Sequence, residues 1–313
     1  MRAVAPHVGI RHAAGMFTYR HSGLLVASQI ELPEWAAFAR EADDEADVRI
    51  SVTPDAPFPD IGDRLLVEDE RVRFGVEEVG GWTIEAGQSI TLTPRQGADA
   101  QELRLFTLGS AWGMLGYQRG HAMWHGSAAK LHGRTALFCG DAGEGKSTMG
   151  AAMVDAGADL VADDLSRVEP HASGPLLYPS SQRLKLWGEA VDHFGWRERV
   201  LHRDWRREDK FHCSVPESPD LASACALDLI VVLETGETHR IEPLRGAEAV
   251  AAVLKGTIYR PEALGEMGRW NEQAVLAARI VAGCHVVRLT RPRDLDALDR
   301  SVGMVSHCLG SLG

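Results

Sequence analysis

The length and composition of the chain are those of an ordinary globular protein. Its 313 residues allow two domains or one large one, so a sizeable core can form without disulfide or metal staples. Hydrophobic residues make up 45% of the chain and charged residues 25%, which excludes a mainly disordered or fibrous protein. The formal net charge of −11 opposes binding to a phosphate backbone, so nucleic acid is not an expected partner.

Cysteine usage and the distribution of apolar residues predict a cytoplasmic protein. The five cysteines are far apart, contain no CxxC pair and would leave one thiol over from any disulfide set. No apolar run reaches the roughly 20 residues that cross a bilayer, so no membrane partner is expected. The first residues include Arg2, Arg11 and Arg20 and no acid, but they lack the apolar segment of a secretion signal.

The N-terminal part of the chain, from residue 17 to residue 94, predicts a β-rich domain because short apolar runs alternate with turn formers. The predicted strands are Gly23–Ser28, Val48–Val52, Arg64–Val67, Val72–Val76, Trp82–Glu85 and Ile90–Leu92. The long apolar stretch Leu103–Tyr117 then breaks the alternation and predicts a buried helix. We therefore expect a smaller β-rich domain over 1–103, a bridging helix over 104–120 and an α/β domain over 121–313.

The remainder of the chain predicts an α/β domain because strand patterns alternate with helical ones. Apart from the motifs described next, the clearest elements are strands at Leu227–Leu233 and His285–Leu289, helices at Gly246–Lys255 and Asn271–Val281, and a last helix from Arg293.

The central motif is a glycine-rich loop, Gly140-Asp-Ala-Gly-Glu-Gly-Lys-Ser147, which matches the phosphate-binding pattern G-x-x-x-x-G-K-[ST]. Arg134–Cys139 predicts a strand that enters the loop, and Ser147–Ala156 predicts a helix that leaves it and is capped by Gly157. Such a loop turns backbone N–H groups toward a polyphosphate, and the helix N-terminus adds positive potential. The expected nucleotide contacts are Gly140, Asp141, Ala142, Gly143, Glu144, Gly145, Lys146, Ser147 and Thr148.

These contacts predict ATP and Mg²⁺ as cofactors. Lys146 would reach the β and γ phosphates, and the Ser147 hydroxyl would ligate Mg²⁺. An apolar strand that ends in Asp163 and Asp164 follows the loop helix. Adjacent side chains of a strand point to opposite faces, so the two acids can act together only if the strand bends there. One acid can then face the metal while the other accepts the proton of an attacking hydroxyl.

A third motif, His125-Gly126, precedes the loop. The order and spacing of His-Gly, Gly-Asp-x-Gly-x-Gly-Lys-Ser and Leu-Val-Ala-Asp-Asp resemble the kinase domain of HPr kinase/phosphorylase. The layout of the whole chain looks like that of the HPr-kinase-like serine kinases of lasso-peptide biosynthesis. This resemblance implies a mixed sheet with flanking helices, with Asp163 as general base on an acceptor serine, Asp164 acting through Mg²⁺, and His125 lying against Asp163.

The resemblance therefore implies ATP- and Mg²⁺-dependent transfer to a serine of a peptide or protein, in particular a ribosomally made precursor peptide, and it is compatible with a homo-oligomer. Further positive charge is needed over the transferring group. The basic candidates are Arg183, Lys185, Arg206, Arg207 and Lys210. Among them Lys210 is the main candidate for a substrate contact, with Arg183 beside it. We expect Trp187, Trp196 and Trp205 to be core or loop anchors.

Other function classes remain open at this point. A P-loop protein that hydrolyses or senses nucleotide would position a water instead of an alcohol. A kinase of a small-molecule alcohol would need a closed, substrate-sized cleft, whereas a peptide kinase needs an open groove. A non-catalytic adaptor would have the same fold but no catalytic activity. The acid at Asp163 favours a kinase, and the chain contains no [NT]-K-x-D segment of a guanine-specific switch.

Overall fold

The structure is a computed structural model that describes residues 16–41, 44–54, 65–216, 218 and 223–312. Arg2, Arg11 and the first residue of the predicted strand Arg64–Val67 lie outside the described residues. The chain divides into two compact units. One is Met1–Arg119 with Glu262–Met267, and the other is Gly120–Pro261 with Gly268–Gly313.

The first unit contains a mixed seven-stranded sheet in the order β1-β2-β3-β7-β6-β5-β4. Its strands are β1 (Phe17–His21), β2 (Leu24–Ser28), β3 (Val48–Val52), β4 (Leu65–Glu68), β5 (Arg71–Val76), β6 (Gly80–Glu85) and β7 (Ser89–Pro94). The sheet is antiparallel except where β3 pairs with β2 and β7. In β3 the side chains of Val48 and Ile50 are buried while Arg49 is exposed, which is the alternation that predicted this strand.

The helical segment after this sheet differs from its prediction in form. It consists of α1 (Ala100–Phe106), one π-helical turn (Thr107–Ala111) and α2 (Trp112–Gln118). Its role as a bridge between domains stays a prediction, and by its contacts it belongs to the first unit. The reason is its apolar and hydroxyl side chains: Trp82 Nε1 of β6 donates a hydrogen bond of 2.9 Å to Thr107 Oγ1, and the ring of Trp112 lies 4.9 Å from that of Trp35.

The second unit combines a mixed eight-stranded sheet with a separate three-stranded one. Its strands are β8 (Ala122–Leu131), β9 (Arg134–Cys139), β10 (Asp159–Glu169), β11 (Leu176–Leu177), β12 (Arg183–Trp187), β13 (Val200–Arg203), β14 (Lys210–Ser214), β15 (Cys225–Ala226), β16 (Leu229–Thr235), β17 (Arg240–Pro243) and β18 (His285–Arg291). The large sheet has the order β15-β11-β10-β8-β9-β16-β18-β17, and the small one the order β12-β14-β13. Among the described residues of this unit, the parallel pairs are β9–β16 and β16–β18.

Helices cover both faces of the eight-stranded sheet. The remaining helices of the chain are α3 (Lys146–Asp155), α4 (Gly188–His193), α5 (Gly246–Thr257), α6 (Pro261–Glu266), α7 (Trp270–Val281) and α8 (Leu298–Ser311). In β9 the buried Leu137 packs with residues of α5 and α7, whereas its neighbour Phe138 packs with residues of α3 and α8. This layered arrangement is a mixed α/β fold. The last helix begins later than predicted, because a 3₁₀ turn capped by Asp294 precedes it.

The three-stranded sheet packs on the other elements through one of its faces. Leu184 and Leu186 of β12, with Cys213 of β14, join a buried cluster that includes Ala151 and Val154 of α3. Within the described part of the chain, no helix is both long and apolar enough to cross a membrane.

Candidate nucleotide site

The glycine loop connects β9 to α3 in the predicted order of strand, loop and helix. Gly140, Gly143 and Gly145 have φ values of 146°, 88° and 78°, a region that favours glycine. A Cβ at Gly140 would lie 2.8 Å from the carbonyl oxygen of Leu233. Glycine at these positions therefore favours this shape of the loop, which places backbone N–H groups at the N-terminus of α3.

Lys146, the first residue of α3, holds its ammonium group inside the curve of the loop. Its Nζ donates hydrogen bonds of 2.9 Å to the carbonyl oxygen of Gly140 and 3.1 Å to that of Asp141. Burial lowers the pKa of Lys146, and the nearby carboxylates of Asp141, Asp163 and Asp164 partly offset this effect. The ammonium group therefore lies within electrostatic reach of the acid pair.

The strand register brings the acid pair to the loop. Both β9 and β10 are antiparallel to β8, so they run in the same direction on either side of it. Ser127 of β8 is the register partner of Phe138 on β9 and of Asp163 on β10. Asp163 is therefore level with Phe138, which lies two residues before the loop begins at Gly140.

The backbone bends at Asp163 and Asp164. Such a bend is the condition under which two adjacent residues of a strand can act together. Asp164 has a φ of 72°, an uncommon value for a residue with a side chain, and this breaks the alternation of the strand. The backbone N–H of Lys185 donates a hydrogen bond of 3.1 Å to Asp163 Oδ2, and the ammonium group of the same lysine forms an ion pair with Asp164 Oδ2. Both carboxylates therefore contact one residue of β12.

The two acids have opposite electrostatic environments. Burial and the negative charge of Asp164 raise the pKa of Asp163, and Ser147 and the Lys185 amide offset this only in part. Burial also opposes ionisation of Asp164, but the charge of Lys185 and the neighbouring His125 hold its pKa well below its usual range. One carboxylate of the pair is therefore the more basic, and the other remains an anion.

His125 contacts a different acid from the one expected. Its Nδ1 lies 3.3 Å from Asp164 Oδ1, so the expected position against Asp163 is corrected to one against Asp164. The reason is that His125 pairs in register with Leu165, the residue after Asp164, and the turned backbone at Asp164 directs its carboxylate to that level of the sheet. The ring of Tyr259 lies 5.9 Å from that of His125 and borders the same site.

Lys185 is the basic residue that the acid pair contacts, although the sequence favoured Lys210 and Arg183. Arg183 precedes Lys185 by two residues on β12, and Lys210 on β14 is the register partner of Trp187. Burial and the charge of Arg207 lower the pKa of Lys210, while Asp164 and Asp163 oppose this, so Lys210 too is within electrostatic reach of the pair. In the sequence, the alternation Arg183-Leu-Lys185-Leu-Trp187 already indicated that Arg183, Lys185 and Trp187 lie on one face of a strand.

Arg291 is a part of the site for which the linear sequence contains no signal. It is the last residue of β18, is 7% exposed, and its Nη2 donates a hydrogen bond of 2.9 Å to the carbonyl oxygen of Glu144. The carboxylate of Glu144 lies 3.2 Å from Arg293 Nη2 and accepts a hydrogen bond from Thr235. The loop is therefore held from segments that are distant in the chain.

The residues present fit a nucleotide with Mg²⁺. Asp163 Oδ1 is buried and, within the described residues, accepts no hydrogen bond of good geometry, while Ser147 lies beside the same carboxyl group. Among the residues that the structure describes, no group of three or more His, Cys, Asp or Glu side chains could hold a metal by itself. A hydroxyl and one or two carboxylates are the protein share of a Mg²⁺ site whose other ligands are phosphate oxygens and water.

Comparison with known proteins shows a similarity to solved structures. No protein-family model matches the chain, and no curated protein matches it. Among solved structures the chain is similar to the Hpr(Ser) kinase/phosphatase from Coxiella burnetii, with a TM-score of 0.30 and 15% sequence identity, over 61% of this chain and 99% of that one. The functional inference therefore has to come from the residues of the site.

Proposed function

We propose that this chain is a kinase that transfers the γ-phosphoryl group of ATP, with Mg²⁺, to the hydroxyl group of a serine in a peptide or protein. The proposed acceptor is a ribosomally made precursor peptide. One observation carries the proposal: a glycine loop with Lys146 and Ser147 and a basic, buried carboxyl group at Asp163 occupy one site. A loop alone would support nucleotide binding, whereas the acid supports transfer to an alcohol.

The proposed roles follow from the contacts of each residue. The backbone N–H groups of the loop and the N-terminus of α3 bind the phosphates, and Lys146 neutralises part of their charge. Asp163 accepts the proton of the serine hydroxyl. The serine oxygen forms a bond to the γ phosphorus, and the bond between that phosphorus and the ADP oxygen breaks. The raised pKa of Asp163 makes its carboxylate the better proton acceptor of the pair.

Ser147 and Asp164 would hold Mg²⁺, which supplies positive charge to the phosphate oxygens when it is bound. Asp164 suits this role because it is partly exposed, whereas Asp163 is buried, and because its low pKa keeps it anionic. Lys185 and His125 both contact Asp164 and so fix the orientation of its carboxylate. They are positioning residues in this proposal.

A transfer assay tests the proposed function. The purified chain is incubated with γ-labelled ATP, Mg²⁺ and candidate precursor peptides, and each peptide is matched by a copy in which every serine is replaced by alanine. We expect label in the serine peptide and none in its alanine copy. Release of free phosphate at an equal rate with and without peptide would identify a nucleotide hydrolase, and labelling of a small alcohol but of no peptide would identify a small-molecule kinase.

A further inference from the structure

The small sheet has a second face next to the acid pair, on which Trp187 is exposed, Lys185 is half-buried and His212 is buried. In β12 and β14 the core-facing residues alternate with those of the opposite face, which form three cross-strand pairs. The pairs are Arg183 with Ser214, Lys185 with His212, and Trp187 with Lys210. We call these six side chains the basic face. Since Lys185 contacts both Asp163 and Asp164, one edge of the basic face touches the proposed catalytic acids.

Exposed apolar side chains are concentrated around the basic face. Within the described residues the large hydrophobic side chains that are exposed are Met16, Trp187, Leu201, Trp205, Trp270 and Val275. Three of these six belong to the small sheet or to its β13–β14 connection. Of the three tryptophans predicted to be core or loop anchors, Trp196 is buried, whereas Trp187 and Trp205 are 48% and 55% exposed and so are not core residues. Exposed tryptophans beside a site are characteristic of binding surfaces.

Two cations lie over the same exposed indole. Lys210 Nζ is 5.6 Å, and Arg207 Cζ 5.9 Å, from the ring centroid of Trp187. Within the described part of the chain neither residue forms an ion pair, although the protein carries a formal net charge of −11. Two neighbouring cations repel each other, and an anionic ligand would relieve that repulsion. The basic face is therefore complementary to an acidic, partly apolar partner.

We propose that the basic face, extended by Arg207, binds the acceptor chain as an extended acidic peptide, with a Glu or Asp carboxylate at Lys210 and Arg207 and an apolar side chain on Trp187. This inference rests on the proposed function for the identity of the occupant. Along a strand Lys185 and Trp187 are separated by about 7 Å, which is two residues of an extended peptide. The acidic residue of the acceptor is thus expected within two or three positions of the serine.

Peptide binding without transfer tests the docking surface directly. Fluorescence anisotropy is measured with labelled peptides of one length, each containing one serine and one leucine, and with two Glu, two Gln or two Lys residues near the serine. We expect the Glu peptide to bind about tenfold more tightly than the Gln peptide, because charge-assisted contacts of this kind contribute about that factor. The preference should weaken as ionic strength rises. Equal affinity for the three peptides would overturn the proposal.

Variants assign the preference to the face. Lys210→Met should lower the affinity for the Glu peptide about tenfold, to that of the Gln peptide, whereas Lys210→Arg should keep most of the preference. Arg207→Gln, at an exposed position, provides a second test if Lys210→Met does not fold. Lys130→Met on β8 removes a charge elsewhere and should leave peptide affinity unchanged. An unaltered preference in both Lys210→Met and Arg207→Gln would refute the assignment.

The docking surface and the proposed function can fail separately. Tight binding of the Glu peptide with no label transfer from Mg·ATP to any serine peptide would refute the kinase and support the surface. Label transfer to serine at equal rates in the Glu and Gln peptides would support the kinase and refute the surface.

Discussion

Replacement of Asp163 by Asn is the most informative single change, because it alters one proton-accepting atom and little else. Asn has nearly the same shape as Asp, and its amide oxygen can still accept the 3.1 Å hydrogen bond from the N–H of Lys185. The ion pair of Lys185 with Asp164 also remains possible in the variant. The neutral amide cannot, however, accept the proton of a serine hydroxyl.

The magnitude follows from the chemistry of a general base. Loss of a positioned base slows transfer by about 10² to 10⁴-fold, which corresponds to about 2.7 to 5.5 kcal/mol in the activation free energy. Asp163→Asn should slow transfer but should not destabilise the folded protein. Burial and Asp164 raise the pKa of Asp163, so ionisation of this group costs folding free energy above its unfolded pKa. Asn removes that cost, and the midpoint of thermal unfolding should be equal or higher at pH 7.

The assay compares turnover, nucleotide affinity and thermal unfolding in the same preparations. Calorimetric titration with Mg·ATP should show an affinity within a fewfold of wild type, whereas peptide phosphorylation should be lost to the stated extent. Asp155→Asn, at the exposed end of α3, is the matched control and should leave all three quantities unchanged. Wild-type turnover in Asp163→Asn would remove Asp163 from the mechanism, and loss of nucleotide binding alone would assign it a structural role.

Three further substitutions test other parts of the structure. Lys146→Ala should abolish transfer and leave the circular dichroism spectrum intact, because the ammonium group contacts loop carbonyl oxygens and not the core; retained transfer would refute the loop assignment. Lys185→Met leaves the Asp164 carboxylate without its lysine partner, so it should lower the free energy of unfolding by about 1 to 3 kcal/mol and reduce turnover. Lys185→Arg should restore part of both. An unchanged denaturation midpoint in Lys185→Met would contradict this expectation. Burial and nearby cations lower the pKa of His212 to about 2, whereas the unfolded ring protonates near pH 6.5. The stability that depends on the neutral ring is thus complete above pH 6.5 and falls by about 1 kcal/mol by pH 5.5, a loss that His212→Leu should abolish in unfolding curves at the two pH values.

Local features of the fold followed from the sequence because they depend on short segments. The alternation in Val48–Val52 reports which side chains are buried in an isolated strand, and the structure has this strand with the same bounds. The strand Arg134–Cys139 also has its predicted bounds, and the helix predicted over Ser147–Ala156 lies over Lys146–Asp155, after the glycine loop and before Gly157. Glycine spacing restricts backbone dihedral angles within a few residues, so the loop needs no distant partner to be recognised.

The helix over 103–117 shows where local reading stops. Its apolar composition predicted burial, but the choice of the surface that it covers depends on Trp82 and Trp35, which lie on other elements of the first unit. Hydrophobic periodicity is not specific for a partner, so the sequence alone does not show which elements the segment packs against. Only packing decided its place.

The composition of the site was decided by the tertiary structure in the same way. The sequence placed Asp163 and Asp164 at a strand end, which is wrong: the pair lies inside β10, which continues to Glu169. β8 lies between that strand and β9, and only the register through Ser127 brings the pair level with the loop. The partner of His125 and the contact with Lys185 depend on the positive φ of Asp164, which no local pattern predicts. Short-range patterns determine dihedral angles and the face on which a side chain lies. Which faces and strand ends meet is determined by the free energy of packing the whole unit, and that free energy is shared among residues far apart in the chain.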